Sequence, residues 1–252
     1  TGLALVTGRP LIMAGLGGAD RFWNVVRYGR IQSPLIWDFL SVSTYFVACL
    51  IYFYLPVIPD VARLAERTEF RPWRRRLYRT LAIGWSGSPA QHALLERAIK
   101  IMAIAVIPLA ISVHTVVSWI FAMTLRPGWN SSIYGPYFVV GAIYSGTGAV
   151  ILSMFVLRRT MRLEQYVKPL HFRKLGLVLL VSTLVYLYFN INEYLTAGYK
   201  LESFERALLE SLFVGRYAPM FWSVQILGVV LPIVLLVLSM AVQRLARFVV
   251  PI

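Results

Sequence analysis

A single cysteine, Cys49, among 252 residues rules out a disulfide framework within the chain. With only three histidines beside it, no C-x-x-C pair and no Cys/His zinc spacing can be drawn. No motif for covalent cofactor attachment is present, so any iron–sulfur cluster or haem working with this chain is expected in another subunit. Charge is also scarce, at 14% of residues, where a soluble domain carries about 25%. Acidic residues are the scarcest class, 11 against 25 lysines and arginines, for a net charge of +14. In a soluble protein that imbalance would suit nucleic acid. Here the basic residues flank apolar runs, the pattern that membrane topology imposes, and nucleic acid is excluded as a partner. Gly15, Gly17 and Gly18 in AGLGGAD follow no strand pattern and make no dinucleotide fingerprint. There is no P-loop and no internal repeat. The chain opens on Thr1 and Gly2 without a starting methionine or signal peptide, and is expected to be a segment of a longer protein whose earlier spans precede it.

What the chain has in abundance is apolar residues, 58% of the total, gathered in blocks. Blocks, as opposed to a period-2 alternation, favour helices over a lipid-facing barrel. Five runs are long enough to cross a hydrocarbon core of about 30 Å: residues 39–58, 101–125, 137–157, 175–194 and 221–242. Residues 1–6 read as the tail of an earlier span. The expected fold is an all-α polytopic transmembrane helix bundle, with residues 1–252 as one transmembrane domain. Nine basic residues lie between the first two spans, six follow the third and two sit in the tail, which places 17 of the 25 on one side. That side is expected to be cytoplasmic, with basic loops 60–100 and 158–174 facing inward across a bacterial inner membrane. The segments at 9–37, 126–135 and 197–220 then face outward. Trp23, Trp129 and Trp222 near span ends read as interfacial belt residues. Residues 203–214 (SFERALLESLFV) carry apolar positions at helical spacing, with Glu202 and Glu205 suited to a helix start. Residues 69–80 form a charge run expected to be a headgroup-facing loop.

Few ionisable side chains fall inside the spans, and each marks a candidate site because lipid tolerates charge poorly. His114 sits near the middle of IMAIAVIPLAISVHTVVSWIFAMTL, with Ser112 and Ser118 within hydrogen-bonding reach along a helix. Two readings stand: a histidine bonded to a neighbouring helix that only packs, or a partner for a quinone carbonyl or a proton relay. Asp38, in PLIWDFLSVSTYF, enters the first span just after Trp37. It suits a helix cap or, alternatively, a proton acceptor at the outer mouth, with Ser41, Thr44 and Tyr45 continuing a polar track. Glu193, in FNINEYL, stands with Asn190 and Asn192 at the outer end of the fourth span and should face protein or water. His92 and His171 read as loop surface residues, and Glu96 and Arg97 as a pair at the inner surface. Pro108 and Pro232 are expected to kink their spans and free carbonyls.

Several segments resemble the NrfD/PsrC family of membrane quinone-interacting subunits, and most closely the two NrfD-like subunits of alternative complex III, ActC and ActF. The likeness runs through Gly8-Arg9-Pro10, Ser33-Pro34-Leu35, Trp37-Asp38 and Ser43-Thr44-Tyr45-Phe46. It continues through Gly84-Trp85, Ser112-Val113-His114-Thr115-Val116-Val117-Ser118, Pro127-Gly128-Trp129, Pro136-Tyr137-Phe138 and Gly141-Ala142. The resemblance covers residues 8–165. It implies a bundle of eight to ten spans, a periplasmic iron–sulfur subunit, multihaem cytochromes c and a second NrfD-like membrane subunit as partners. Electrons would pass from menaquinol to the iron–sulfur clusters, with protons leaving to the outside. The quinol-binding member of the pair resembles this chain less well: Val6 stands where it has a histidine before Gly-Arg-Pro, and Ile120 where it has an acidic residue. The resemblance therefore implies the ActF-like paralogue, a scaffold with a proton conduit through Asp38, His114, Ser118 and nearby hydroxyls, ahead of the quinol-binding subunit itself. A secondary transporter with His114 as a midplane site is the reading from another class, disfavoured by the lack of a repeat.

Overall fold

The computed structural model describes the backbone of residues 23–67, 71–126 and 128–249, with side chains as far as residue 241. Residues 1–6, Val6 within them, and Gly8-Arg9-Pro10 lie outside the described residues, as do residues 69–70 of the charge run and Pro127. Among the described residues there is no strand. The helices are α1 (Trp23–Arg27), α2 (Pro34–Tyr54), a 3-10 turn (Leu55–Val57), α3 (Ile58–Glu66) and α4 (Pro72–Leu81). There follow α5 (Pro89–Ala122), α6 (Tyr134–Thr160), α7 (Pro169–Lys200), α8 (Ser203–Phe213) and α9 (Ala218–Gln225). A π-helical stretch (Ile226–Val230) leads into α10 (Leu231–Val249).

Among the described residues, five helical stretches are long and apolar enough to span a membrane: Pro34–Glu66, Pro89–Ala122, Tyr134–Thr160, Pro169–Lys200 and Ala218–Ala241. The five expected spans are therefore present, but most run well past their apolar runs. Three begin on a proline, Pro34, Pro89 and Pro169. Proline at the first helical position lacks only an N–H that the helix could not use, and its φ is already helical. Starting at Pro34 puts Asp38 a full turn inside α2, so Asp38 is not the helix cap the sequence suggested. Starting at Pro89 and Pro169 places His92, Glu96, Arg97 and His171 inside helices, not in loops. Both histidines are exposed. His171 Nδ1 accepts the Lys168 backbone N–H at 3.0 Å, closing the first turn of α7. Glu96 and Arg97 form no ion pair, since adjacent residues on a helix point apart. Much of the expected basic loop at 69–80 is helix α4, which packs against α3. Ile58, Val61 and Ala65, at helical spacing, are the buried face of α3, and the Tyr54 hydroxyl donates to the Leu81 carbonyl at the end of α4. The short helix expected at 203–214 is present as α8, with Glu205 in its first turn and an exposed Arg206–Glu210 pair at 2.9 Å.

The chain divides into two compact units at Val117–Ser118, a point within α5. In the second unit α6 and α7 pack most extensively, α10 lies against α7, and α8 contacts both α7 and α9. Few apolar side chains are buried, and large ones such as Ile104, Leu152 and Leu238 stand exposed along the spans. In water that surface would drive aggregation; acyl chains accept it without cost.

The turn between α5 and α6 is held by Gly128. Its φ is +78°, and a Cβ there would approach Leu208 Cδ2 to 2.5 Å. The Tyr134 hydroxyl donates to the Gly128 carbonyl, and Trp129 lies 4.9 Å from the Phe121 ring, so this tryptophan belongs to an aromatic cluster of its own chain. Gly128→Ala is expected to cost about 1–3 kcal/mol through backbone strain and overpacking. A fall in the unfolding midpoint of the purified protein checks this; an unchanged midpoint would mean the turn relaxes freely.

Candidate functional site

Asp38 is half-buried in the second turn of α2, and its Oδ1 has no hydrogen-bond partner. Ser41 and Tyr45 follow at i+3 and i+7, on the same face. Tyr45 is buried, Thr44 is exposed, and the Ser41 hydroxyl donates to the Asp38 backbone carbonyl at 3.0 Å, not to its carboxylate. The face therefore carries one unsatisfied carboxylate oxygen and a buried phenol.

His114 lies two turns before the end of α5. Its Nδ1 is 2.8 Å from the Ala110 carbonyl. A carbonyl only accepts, so Nδ1 carries the proton, and in the neutral ring Nε2 presents a lone pair. Ser112 is not its partner: that hydroxyl donates to the Pro108 carbonyl at 2.8 Å. Thr115 likewise donates to the Ile111 carbonyl, the usual recourse of a hydroxyl on an apolar helix. Ser118, one turn beyond, is 0% exposed. No hydrogen bond joins Asp38 to His114 among the described residues.

The richest polar assembly lies between α6 and α7. On α7, Tyr186, Asn190 and Glu193 recur at i, i+4 and i+7; on α6, Tyr137 and Tyr144 stand seven apart. The two rows face each other. Glu193 Oε2 accepts from Ser131 Oγ at 2.6 Å. Asn190, 6% exposed, donates through Nδ2 to the Tyr137 hydroxyl at 3.0 Å. The Tyr137 and Tyr186 rings are 5.0 Å apart, and Tyr186 stacks on Tyr144 at 5.5 Å. Gly141 lies beside the Tyr186 ring, where a Cβ would make van der Waals contact at 3.4 Å. The ladder ends where the Tyr144 hydroxyl donates to the Gly228 carbonyl. In a regular α-helix residue 232 would bond that carbonyl; Pro232 has no N–H with which to do so, and Tyr144 donates to it from another helix. The expectation that Pro232 frees a carbonyl thus acquires a partner from another helix.

Glu193 opens onto a cleft of about 430 Å³ lined also by Ser131, Asn192, Thr196, Lys200 and Glu205. Asn192 bonds the Tyr188 carbonyl at 2.9 Å and stays outside the ladder. The structure thus pairs Glu193 with Ser131 and Asn190 with Tyr137, both in the second unit, while Asp38 and His114 belong to the first. Tyr137, Tyr144, Tyr186 and Ser131 are functional candidates that sequence reasoning passed over. The seven-residue spacing of Tyr137 and Tyr144, and the four-residue step from Tyr186 to Asn190, are the sequence signals for the tyrosines. A carboxylate with phenols, an amide and a hydroxyl can hold and move protons; no group of three metal-ligating side chains gathers among the described residues.

Comparison with known proteins agrees with this architecture. The profile of the family described as polysulphide reductase, NrfD matches residues 2–251. A protein of Halobacterium salinarum, provisionally named as the membrane subunit of a dimethyl sulfoxide reductase, is 28% identical over 153 residues, 60% of this chain and 32% of that protein. A selenate reductase subunit of Mesobacillus selenatarsenatis is 25% identical over 245 residues, covering 94% of this chain and 56% of the relative. The Hdr-like menaquinol oxidoreductase integral membrane subunit of Archaeoglobus fulgidus is 25% identical over 231 residues, 89% of this chain and 48% of that protein. The chain thus spans between a third and just over half of the length of these relatives. With the match extending over nearly every residue and the helices apolar enough to span a bilayer, the chain belongs to the NrfD/PsrC family of membrane subunits.

Proposed function

We propose that this chain is a membrane subunit of a respiratory menaquinol:electron-acceptor oxidoreductase of the alternative complex III type, and that it is the paralogue that scaffolds the complex and conducts protons. The observation that carries this reading is the polar ladder from Tyr144 to Glu193, which ends at an open cleft. Burying so many hydrogen-bonding groups between two spans has a cost that packing alone does not require. The names of two relatives, one from a selenate reductase and one from a menaquinol oxidoreductase, support the redox setting. In this reading the basic ends at 60–100 and 158–174 face the cytoplasm, and Glu193 faces the outside. Periplasmic iron–sulfur and multihaem cytochrome c partners hold the redox centres, and the membrane part is made whole by a second NrfD-like subunit. Menaquinol, as substrate, loses two electrons to those partners and two protons to bases in the membrane. His114 Nε2 and the unpartnered Asp38 oxygen are groups that can pass on protons a partner subunit has taken from the quinol, and Glu193 with the ladder delivers protons to the cleft.

The test is proton release per electron by the complex in liposomes carrying Glu193→Gln. Glutamine keeps the shape and the Ser131 contact but cannot carry a proton. Release should fall while menaquinol oxidation continues. Unchanged release would leave this chain a scaffold alone. A second reading, that the chain binds quinol itself, is favoured by one feature: the Nδ1 bond to Ala110 orients Nε2 as an acceptor that a quinol hydroxyl would need.

A further inference from the structure

About 30 Å along α7 from Glu193, at the helix's other end, a second cavity of about 310 Å³ opens between α6, α7 and α10. Arg158 from the last turn of α6 and Arg173 from the start of α7 contribute its charge. Phe172, Leu177, Leu236 and Met240 contribute apolar wall. We propose that this cavity binds an acidic phospholipid, its phosphate held by the two arginines and its glycerol and upper acyl chain by the apolar wall.

The charge has no internal answer. Arg158 Nε is buried without a hydrogen-bond partner, and neither arginine forms an ion pair among the described residues. A buried, unpaired guanidinium donor is costly, and an anion from outside the chain removes that cost. The guanidinium fork matches phosphate oxygens two at a time. Pro169, on the cavity wall, opens α7, so the positive end of that helix's dipole lies at the same place. Gly176 is buried on the cavity wall, where a Cβ would make van der Waals contact with Leu236 at 3.4 Å. The apolar wall distinguishes a lipid from a free anion, because phosphate alone gains nothing from phenylalanine and leucine. The location fits as well: the last turn of one span and the first turn of the next lie at the depth where headgroups begin.

The complex containing this chain, kept intact in mild detergent, provides the test by native mass spectrometry with added phosphatidylglycerol or phosphatidylcholine. Phosphatidylglycerol should be retained preferentially, and the Arg158→Gln/Arg173→Gln pair should weaken its retention by about 10–30-fold while phosphatidylcholine retention stays the same. The charge-keeping Arg158→Lys/Arg173→Lys pair should still prefer phosphatidylglycerol. Equal retention of the acidic lipid in parent and glutamine variant would overturn the proposal. So would loss of preference in the lysine pair. Displacement of phosphatidylglycerol by millimolar inorganic phosphate would show a simple anion site and refute the lipid assignment.

Discussion

Replacing Asp38 with Asn and His114 with Leu will lower the protons released per electron and leave menaquinol oxidation within about threefold of the parent rate. Neither change should damage the fold. Asparagine has the shape of aspartate, and the Asp38 oxygen it alters has no partner to lose. The His114 ring bonds only to a carbonyl of its own helix, Ala110, which also faces the backbone N–H of the next turn, so leucine leaves no orphan on another element. What both variants lose is a titratable group within a span. If the chain conducts protons that a partner subunit has already taken from the quinol, those protons find another exit and electron transfer goes on. If quinol instead bonds His114 Nε2, the variant removes the base that takes the first proton, and a positioned general base is worth about 10²–10⁴ in rate. A collapse of that size in His114→Leu would transfer the chain to the quinol-binding reading. Parent stoichiometry in both variants would remove them from the proton path. Initial rates with a reduced menaquinone analogue, and an external pH dye on the same liposomes, read both quantities together.

Tyr144→Phe is expected to destabilise the protein by about 1–3 kcal/mol, because it strips the Gly228 carbonyl of its donor inside the helix bundle. The cause is specific enough to be cancelled. With Pro232→Ala, residue 232 regains an N–H, and that N–H can reach back to Gly228 as an ordinary helical bond. In that background the cost of Tyr144→Phe should fall below about 1 kcal/mol, and the difference between backgrounds measures the coupling directly. Unfolding midpoints of the four proteins in one detergent complete the cycle. An equal cost with and without Pro232 would mean that the hydroxyl's contribution does not depend on the N–H that proline lacks.

Local signals in the sequence were enough for the spans but not for their ends. Apolar runs of bilayer length were plain, because lipid demands them of each helix separately. The extra turns at Pro34, Pro89 and Pro169 lie outside the hydropathic runs, and the signal that marks them is helix-start chemistry, proline at a first helical position. Hydropathy alone likewise sets Asp38 near a helix cap, His92 and His171 in loops, and α4 in a headgroup-facing loop. Glu193 and Asn190 are legible as polar residues that lipid would reject, and the fold gives each a side-chain partner far along the chain. Ser112 was misjudged for a simpler reason: a hydroxyl in an apolar helix satisfies itself on the carbonyl one turn back before it reaches a neighbour.

By itself the sequence determined that the chain is helical, that it crosses a membrane about five times, and which few side chains lipid would not accept. Each of those facts depends on residues close together along one helix and on their transfer from water to hydrocarbon. Only the tertiary structure decided which groups those side chains meet. Ser131 lies 62 residues from Glu193, Tyr137 lies 53 from Asn190, and Tyr144 lies 84 from Gly228. Such pairings depend on how helices settle against each other, and no periodicity along a single helix encodes that.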